Sequence, residues 1–145
     1  MNISQIATIL KREYPMLLLD GVTHIEPRVI CRAYKNLTYN EWFFPAHFPN
    51  KPVMPGTIQL EAFTQAVALP LIVTEDTSSL QDIPILLGGI DKVRFYKSVF
   101  PGDRFEICAK IDRIAMGIAT ASANGSVNGK TVSECKITYK IIGGE

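Results

Sequence analysis

The rhythm of apolar and polar positions shifts along the chain from helical to alternating. Near the start, Ile3, Ile6, Ala7, Ile9 and Leu10 fall on one helical face, which predicts a short amphipathic helix with Ser4 as its cap. That helix stops at Tyr14-Pro15. Leu17-Leu18-Leu19 reads as a short apolar strand ended by Asp20-Gly21, and Val29 to Leu37 is β-rich. The latter could pair with the Leu17 segment or with strands near the C-terminus. Between His47 and Pro55 regular structure is excluded, because Pro49, Pro52 and Pro55 fix φ and remove backbone donors. From Thr57 to Leu69 there is neither Gly nor Pro, and Ile58, Leu60, Ala62, Phe63, Ala66, Val67, Ala68 and Leu69 make the segment apolar nearly all round. Such a helix belongs inside a core.

Thr74 to Pro84 is a polar connection, and from Ile85 onward the pattern is strand after strand. Gly88-Gly89 marks a bulge or a close backbone approach. Val93, Phe95 and Lys97 alternate with Arg94 and Tyr96, and Pro101-Gly102-Asp103 is a turn. Phe105, Ile107, Ala109 and Ile111 then alternate with polar residues, Ile118 to Val127 is a strand rich in small residues, and Asn128-Gly129 is a type I′ hairpin signal. In the last strand Cys135, Ile137, Tyr139 and Ile141 share one face. A sheet with one wet and one packed face needs a cover, and helix 57–69 is the candidate long enough. The architecture expected is α+β, a curled antiparallel sheet wrapped around one central helix. That helix is apolar on more faces than one small sheet covers, so a second copy is expected to bury the remainder.

One carboxylate, Glu61, interrupts the apolar helix. Thr57, Glu61 and Gln65 are spaced i, i+4, i+8 and form a narrow polar stripe. Two readings of Glu61 are open: a residue at an edge that reaches water or a satisfying neighbour, and a catalytic acid. His47 is the natural partner for the second, as the one imidazole in this part of the chain; His24, between Thr23 and Ile25, reads as a strand or loop residue. The helix opens on Pro55-Gly56-Thr57, where unpaired N–H groups and the positive end of the dipole would receive an oxyanion or a thioester carbonyl. Trp42, Phe43 and Phe44 lead into the His47 loop and read as core packing beside it.

Composition narrows the class. The chain has 145 residues, 47% of them apolar and 20% charged, which suits one domain, 1–145, with a sizeable core. A net charge of +1 gives no support for nucleic-acid binding. Cys31, Cys108 and Cys135 are far apart without metal-ligand spacing, and read as reduced thiols of a cytoplasmic protein. The start of the chain lacks the apolar core and cleavage site of a signal peptide, and the run Ala66 to Val73 is too short to span a bilayer.

The order His47-Phe48-Pro49-x-x-Pro52-Val53-Met54-Pro55-Gly56, then Glu61-Ala62-x-x-Gln65, resembles the 3-hydroxyacyl-[acyl-carrier-protein] dehydratases of type II fatty acid synthesis. Tyr14-Pro15-x-Leu17-Leu18-x-Asp20 upstream fits the same family, as do Gly89-Ile90-Asp91-Lys92-Val93-Arg94-Phe95 and Val99-x-Pro101-Gly102-Asp103 downstream. The resemblance implies a hot-dog fold built as a dimeric unit, or a higher homo-oligomer of dimers. It implies that His47 removes the α-proton of a 3-hydroxyacyl thioester and that Glu61 protonates the departing hydroxyl. The backbone N–H of Gly56 would bind the thioester oxygen, with Thr57 and Gln65 supporting. His47 of one protomer would face Glu61 of the other. No cofactor is implied. The donor would be an acyl-phosphopantetheine on acyl carrier protein, an acidic partner, for which Lys92, Arg94 and Lys97 are candidate contacts.

Departures from the family pattern bear on the substrate. Ala46 and Asn50 stand where glycines usually flank the HFP triplet, Arg12 stands where a histidine is common, and Pro70 is expected to kink or end the central helix early. These changes point toward a specialised acyl or polyketide-like chain. The alternatives are a hot-dog thioesterase or isomerase, which has no special need for His47, and a non-catalytic acyl-binding or partner module, in which loss of His47 or Glu61 would be expected. Both residues are present.

Overall fold

The computed structural model describes residues 1–73 and 85–142. The polar connection expected at 74–84 lies outside them. Among the described residues, two helices and six strands follow in the order α1 (Ile3–Leu10), β1 (Gly21–Glu26), β2 (Ile30–Asn36), α2 (Gly56–Ile72), β3 (Ile85–Phe95), β4 (Arg104–Ala115), β5 (Ile118–Val127) and β6 (Lys130–Ile141). All strand pairs are antiparallel, and the sheet order is β1-β2-β4-β5-β6-β3. The sheet curls around α2, as the alternation along β4 and β6 predicts.

Side-chain size explains why the helix lies so close. Phe105, Ile107, Ala109 and Ile111 of β4 and Cys135, Ile137 and Tyr139 of β6 are buried. Between them β5 offers only Ala119, Ala121, Ala123 and Gly125, so a strip of small residues runs down the middle of the inner face. A Cβ on Gly125 would lie 2.2 Å from the Phe105 ring and 3.2 Å from that of Phe63. Phe63 packs there against Phe105 with ring centroids 5.7 Å apart. The buried Tyr139 hydroxyl donates to the Thr64 carbonyl at 2.9 Å, tying α2 to β6.

Three local expectations are corrected. The cap of α1 is Asn2, not Ser4: its side chain accepts from the Gln5 N–H while the Gln5 side chain accepts from the Asn2 N–H, a capping box. Leu17 to Asp20 is not a strand, although Leu18 and Leu19 are fully buried. Its backbone is satisfied by a side chain instead, since the Leu18 N–H donates to Gln65 Oε1 and Gln65 Nε2 donates to the Met16 carbonyl. Finally, α2 runs through Pro70 to Ile72 without a break. Pro70 and Leu71 are buried, and the Pro70 carbonyl accepts from the Arg28 N–H at 2.7 Å, so packing holds the last turn despite the missing donor.

Other readings match. His24 is an exposed residue of β1 bonded to Glu26, Val29 to Leu37 contains β2, and β2 pairs with β1 and β4. The ladder slips between Leu87 and Gly89, the bulge signalled by the paired glycines, and Asn128 and Gly129 carry positive φ values of 50° and 76°. Phe43 and Phe44 are buried, packed edge to face, but Trp42, read with them as core, is exposed, its indole N–H donating to the Pro15 carbonyl at 3.3 Å. The apolar surface expected on α2 for a second copy is not there, because residues Ala62 to Leu71 are already buried within one chain. Exposed apolar side chains lie instead on β3, an edge strand of 11 residues with Leu86, Leu87 and Phe95 about half exposed. The opposite edge, β1, is partly covered by Met1 and Asn2. Among the described residues no helix is long and apolar enough to cross a membrane.

Candidate active site

The proline-rich loop before α2 is held by a small set of bonds that converge on His47. Phe44 anchors its start in the core. The His47 N–H donates to the Phe44 carbonyl at 3.2 Å and the Val53 N–H donates to the His47 carbonyl at 2.8 Å. Phe48 and Lys51 exchange N–H to carbonyl bonds at 3.0 Å, closing the turn between them, and the Met54 N–H reaches the Val99 carbonyl at 2.8 Å. The His47–Phe48 peptide is cis, and the Phe48 ring stacks on the imidazole with centroids 4.1 Å apart.

These contacts set the tautomer of His47. Its Nδ1 lies 2.9 Å from the Val53 carbonyl oxygen. A carbonyl only accepts, so Nδ1 is the donor, and in the neutral imidazole the lone pair falls on Nε2. The imidazole is thus held by the Val53 carbonyl on one nitrogen and by the Phe48 ring on its face.

His47 lines an open cleft of about 570 Å³ at the mouth of α2. Val53, Met54, Gly56, Gln59 and Leu60 form one wall and Phe95 to Ser98 the other. The N-terminus of α2 carries no side-chain cap, because Pro55 occupies the cap position. The Pro55 carbonyl takes the N–H groups of Ile58 and Gln59, both at 3.1 Å, which leaves those of Gly56 and Thr57 without an acceptor among the described residues. Gly56 is also where the two walls touch: a Cβ there would lie 2.7 Å from the Phe95 ring.

The predicted residues divide into two groups. His47, Gly56, Thr57 and Lys97 line the cleft. Glu61 and Gln65 do not. Glu61 is half-buried, and its Oε1 accepts from Gln65 Nε2 at 3.0 Å, on the side of α2 that faces Met16 and Leu18. Lys92 and Arg94 sit exposed on β3, where the ladder slips between Asp91 and Arg94 and Lys92 takes a φ of 51°. Arg94 folds back to donate to the Val93 carbonyl at 3.1 Å.

Three features of the cleft escape the sequence pattern. Phe95 reads as one more apolar strand position but is half exposed as a cleft wall. Tyr96 stands at the rim with its hydroxyl bonded to Glu134, a bond that keeps the phenol protonated above its usual range. Gln59 is 3% exposed and lines the same space. Its only signal is an amide lodged between Ile58 and Leu60 in an otherwise apolar helix.

Similarity to known proteins runs the length of the chain. A family model described as a FabA-like domain matches residues 10–136. The 3-hydroxyacyl-[acyl-carrier-protein] dehydratase FabZ of Clostridium beijerinckii is 38% identical over 97% of this chain and 99% of its own. That of Halorhodospira halophila is 41% identical over 94% and 89%. Among solved structures, the dehydratase heterocomplex ApeI:P from Xenorhabdus doucetiae superimposes with a TM-score of 0.77 at 16% identity, covering 94% of this chain and 90% of that one. A hypothetical thioesterase with coenzyme A from Streptococcus pneumoniae gives 0.67 at 9% identity, covering 85% of each. The structural likenesses establish the hot-dog fold; the sequence matches establish that this chain belongs to the 3-hydroxyacyl-[acyl-carrier-protein] dehydratase family, within the FabA-like group.

Proposed function

We propose that this protein removes water from 3-hydroxyacyl thioesters on acyl carrier protein, giving trans-2-enoyl thioesters in fatty acid or a related acyl or polyketide synthesis. The observation that carries this reading is the bond from His47 Nδ1 to the Val53 carbonyl, which leaves Nε2 a free base beside the open N–H groups of Gly56 and Thr57. A thioester carbonyl held by those donors acidifies the proton on C2, and Nε2 takes it. Hydroxide leaves C3 poorly, so an acid must protonate the departing oxygen. Glu61 is the carboxyl assigned to this step.

Glu61 does not line the His47 cleft of its own chain, which favours a site completed by a second copy. The geometry suits that arrangement. One cleft wall is the end of β3, the open and apolar edge of the sheet, so a copy paired along β3 stands beside the cleft. The carrier protein would approach over Lys97 at the rim, with Lys92 and Arg94 farther along β3.

The test is a 3-hydroxybutyryl thioester assay that follows enoyl absorbance and free thiol together. Enoyl formation without thiol release is expected from the wild type, with a loss of roughly 10²–10⁴-fold in each of His47→Ala and Glu61→Gln at unchanged fold. Thiol release instead would mean hydrolysis, and near-normal turnover in either folded variant would refute the assigned roles.

A further inference from the structure

The side-chain oxygen of Gln59 is left without a donor in the described structure. The residue is 3% exposed, its Oε1 is shut off from water, and no donor among the described residues reaches it. Such an oxygen is costly to leave unpaired, whereas a leucine or methionine at this place would carry no such penalty. Its neighbours in the cleft wall, Met54 and Leu60, are apolar. Gln59 thus contributes to a largely apolar stretch of wall in which Thr57 is the other polar side chain from α2, and its Oε1 is turned into the protein.

We propose that Gln59 is a specificity-determining residue that accepts a hydrogen bond from a hydroxyl on the acyl chain of the substrate. The proposal rests on the dehydratase reading above. The depth of the residues around the cleft favours the acyl chain over the pantetheine arm as the source of the donor. Tyr96, Lys97 and Ser98 are exposed at the rim, His47 and Gly56 are half-buried, and Gln59 is buried. An arm entering from solvent reaches the rim first, and what lies beyond Gly56 is the acyl group. Gln59 is three positions after Gly56, about 4.5 Å along the helix axis, the reach of a short run of carbons beyond the carbonyl. A hydroxyl at C5 of a 3,5-dihydroxyacyl thioester falls in that range. The terminal torsion of a glutamine is soft, and the proposal requires the amide to turn Oε1 from its buried position toward the cleft when the hydroxyl arrives.

The experiment compares 3-hydroxyhexanoyl and 3,5-dihydroxyhexanoyl pantetheine thioesters in the wild type and in Gln59→Leu, reading kcat/KM from enoyl absorbance. The wild type is expected to favour the dihydroxy substrate by about tenfold or more, and Gln59→Leu to lose that preference. Gln59→Met repeats the comparison should the leucine variant not fold. The same ratio in wild type and variant, or an equal loss on both substrates, overturns the proposal, the latter because it marks a structural role. Repeating the pair on thioesters with a truncated arm should leave the ratio unchanged; a preference that needs the full arm assigns Gln59 to the arm and also overturns it. A wild type that dehydrates neither substrate brings down the dehydratase reading and this inference together, whereas dehydration with an unchanged ratio brings down this inference alone.

Discussion

At the scale of single residues, the site depends on groups whose neighbours leave them few choices. Gly56 is the sharpest case. The Phe95 ring occupies the place of its missing Cβ, and that ring is itself a cleft wall. Gly56→Ala must displace Phe95, which is half exposed and free to move, so stability should change little while the reacting groups lose register. A loss in kcat/KM on the order of ten- to a hundredfold is expected, recovered in part by the double variant Gly56→Ala/Phe95→Ala. Away from the site, burial pushes the Cys31 thiol up to about 12, that of Cys135 to about 11 and the Tyr139 phenol to about 12. These groups ionise more readily in the unfolded chain, near their ordinary values of 9 for the thiols and 10 for the phenol. Their contribution to stability is whole below pH 9 and lost as the pH rises through those folded values. Denaturant melts between pH 8 and 11 should show the midpoint falling above pH 9, with less fall in Cys31→Ala/Cys135→Ala.

At the scale of elements, the strands from β4 to β6 were legible because each has one wet and one packed face, so alternation reports burial directly. Leu17 to Leu19 was not, because an apolar triplet looks the same whether its backbone joins a ladder or, as here, bonds to the amide of Gln65 from a distant helix. The end of α2 was misjudged at Pro70 for a related reason: propensity is local, and the packing that overrides it is not. That His47 and Gly56 lie close together was visible in the motif, while the place of Phe95 and Gln59 in the same cleft was hidden, since nothing in a single strand or helix pattern says which element will stand opposite. The charge on β3 and its exit carries its own prediction. Reversing Lys92, Arg94 and Lys97 to glutamate should slow turnover of carrier-bound substrate several-fold and relieve its salt dependence, leaving a pantetheine thioester unaffected. Equal loss on both substrates would show that the pocket itself had been damaged.

At the scale of the molecule, one chain places His47 and an open helix N-terminus in a cleft, and carries Glu61 elsewhere. The account therefore turns on whether His47 of one protomer works with Glu61 of another, and subunit mixing tests this most directly. His47→Ala and Glu61→Gln chains, each inactive alone, are combined under conditions that allow exchange, and mixed dimers are verified with distinguishable tags. In a mixed dimer one site lacks both groups and the other regains an intact pair. With random exchange about half the dimers are mixed, each with one working site of two, so roughly a quarter of wild-type dehydration should return. Verified mixed dimers that remain inactive would contradict the shared site, and with it the assignment of Glu61 as the acid that acts across the interface.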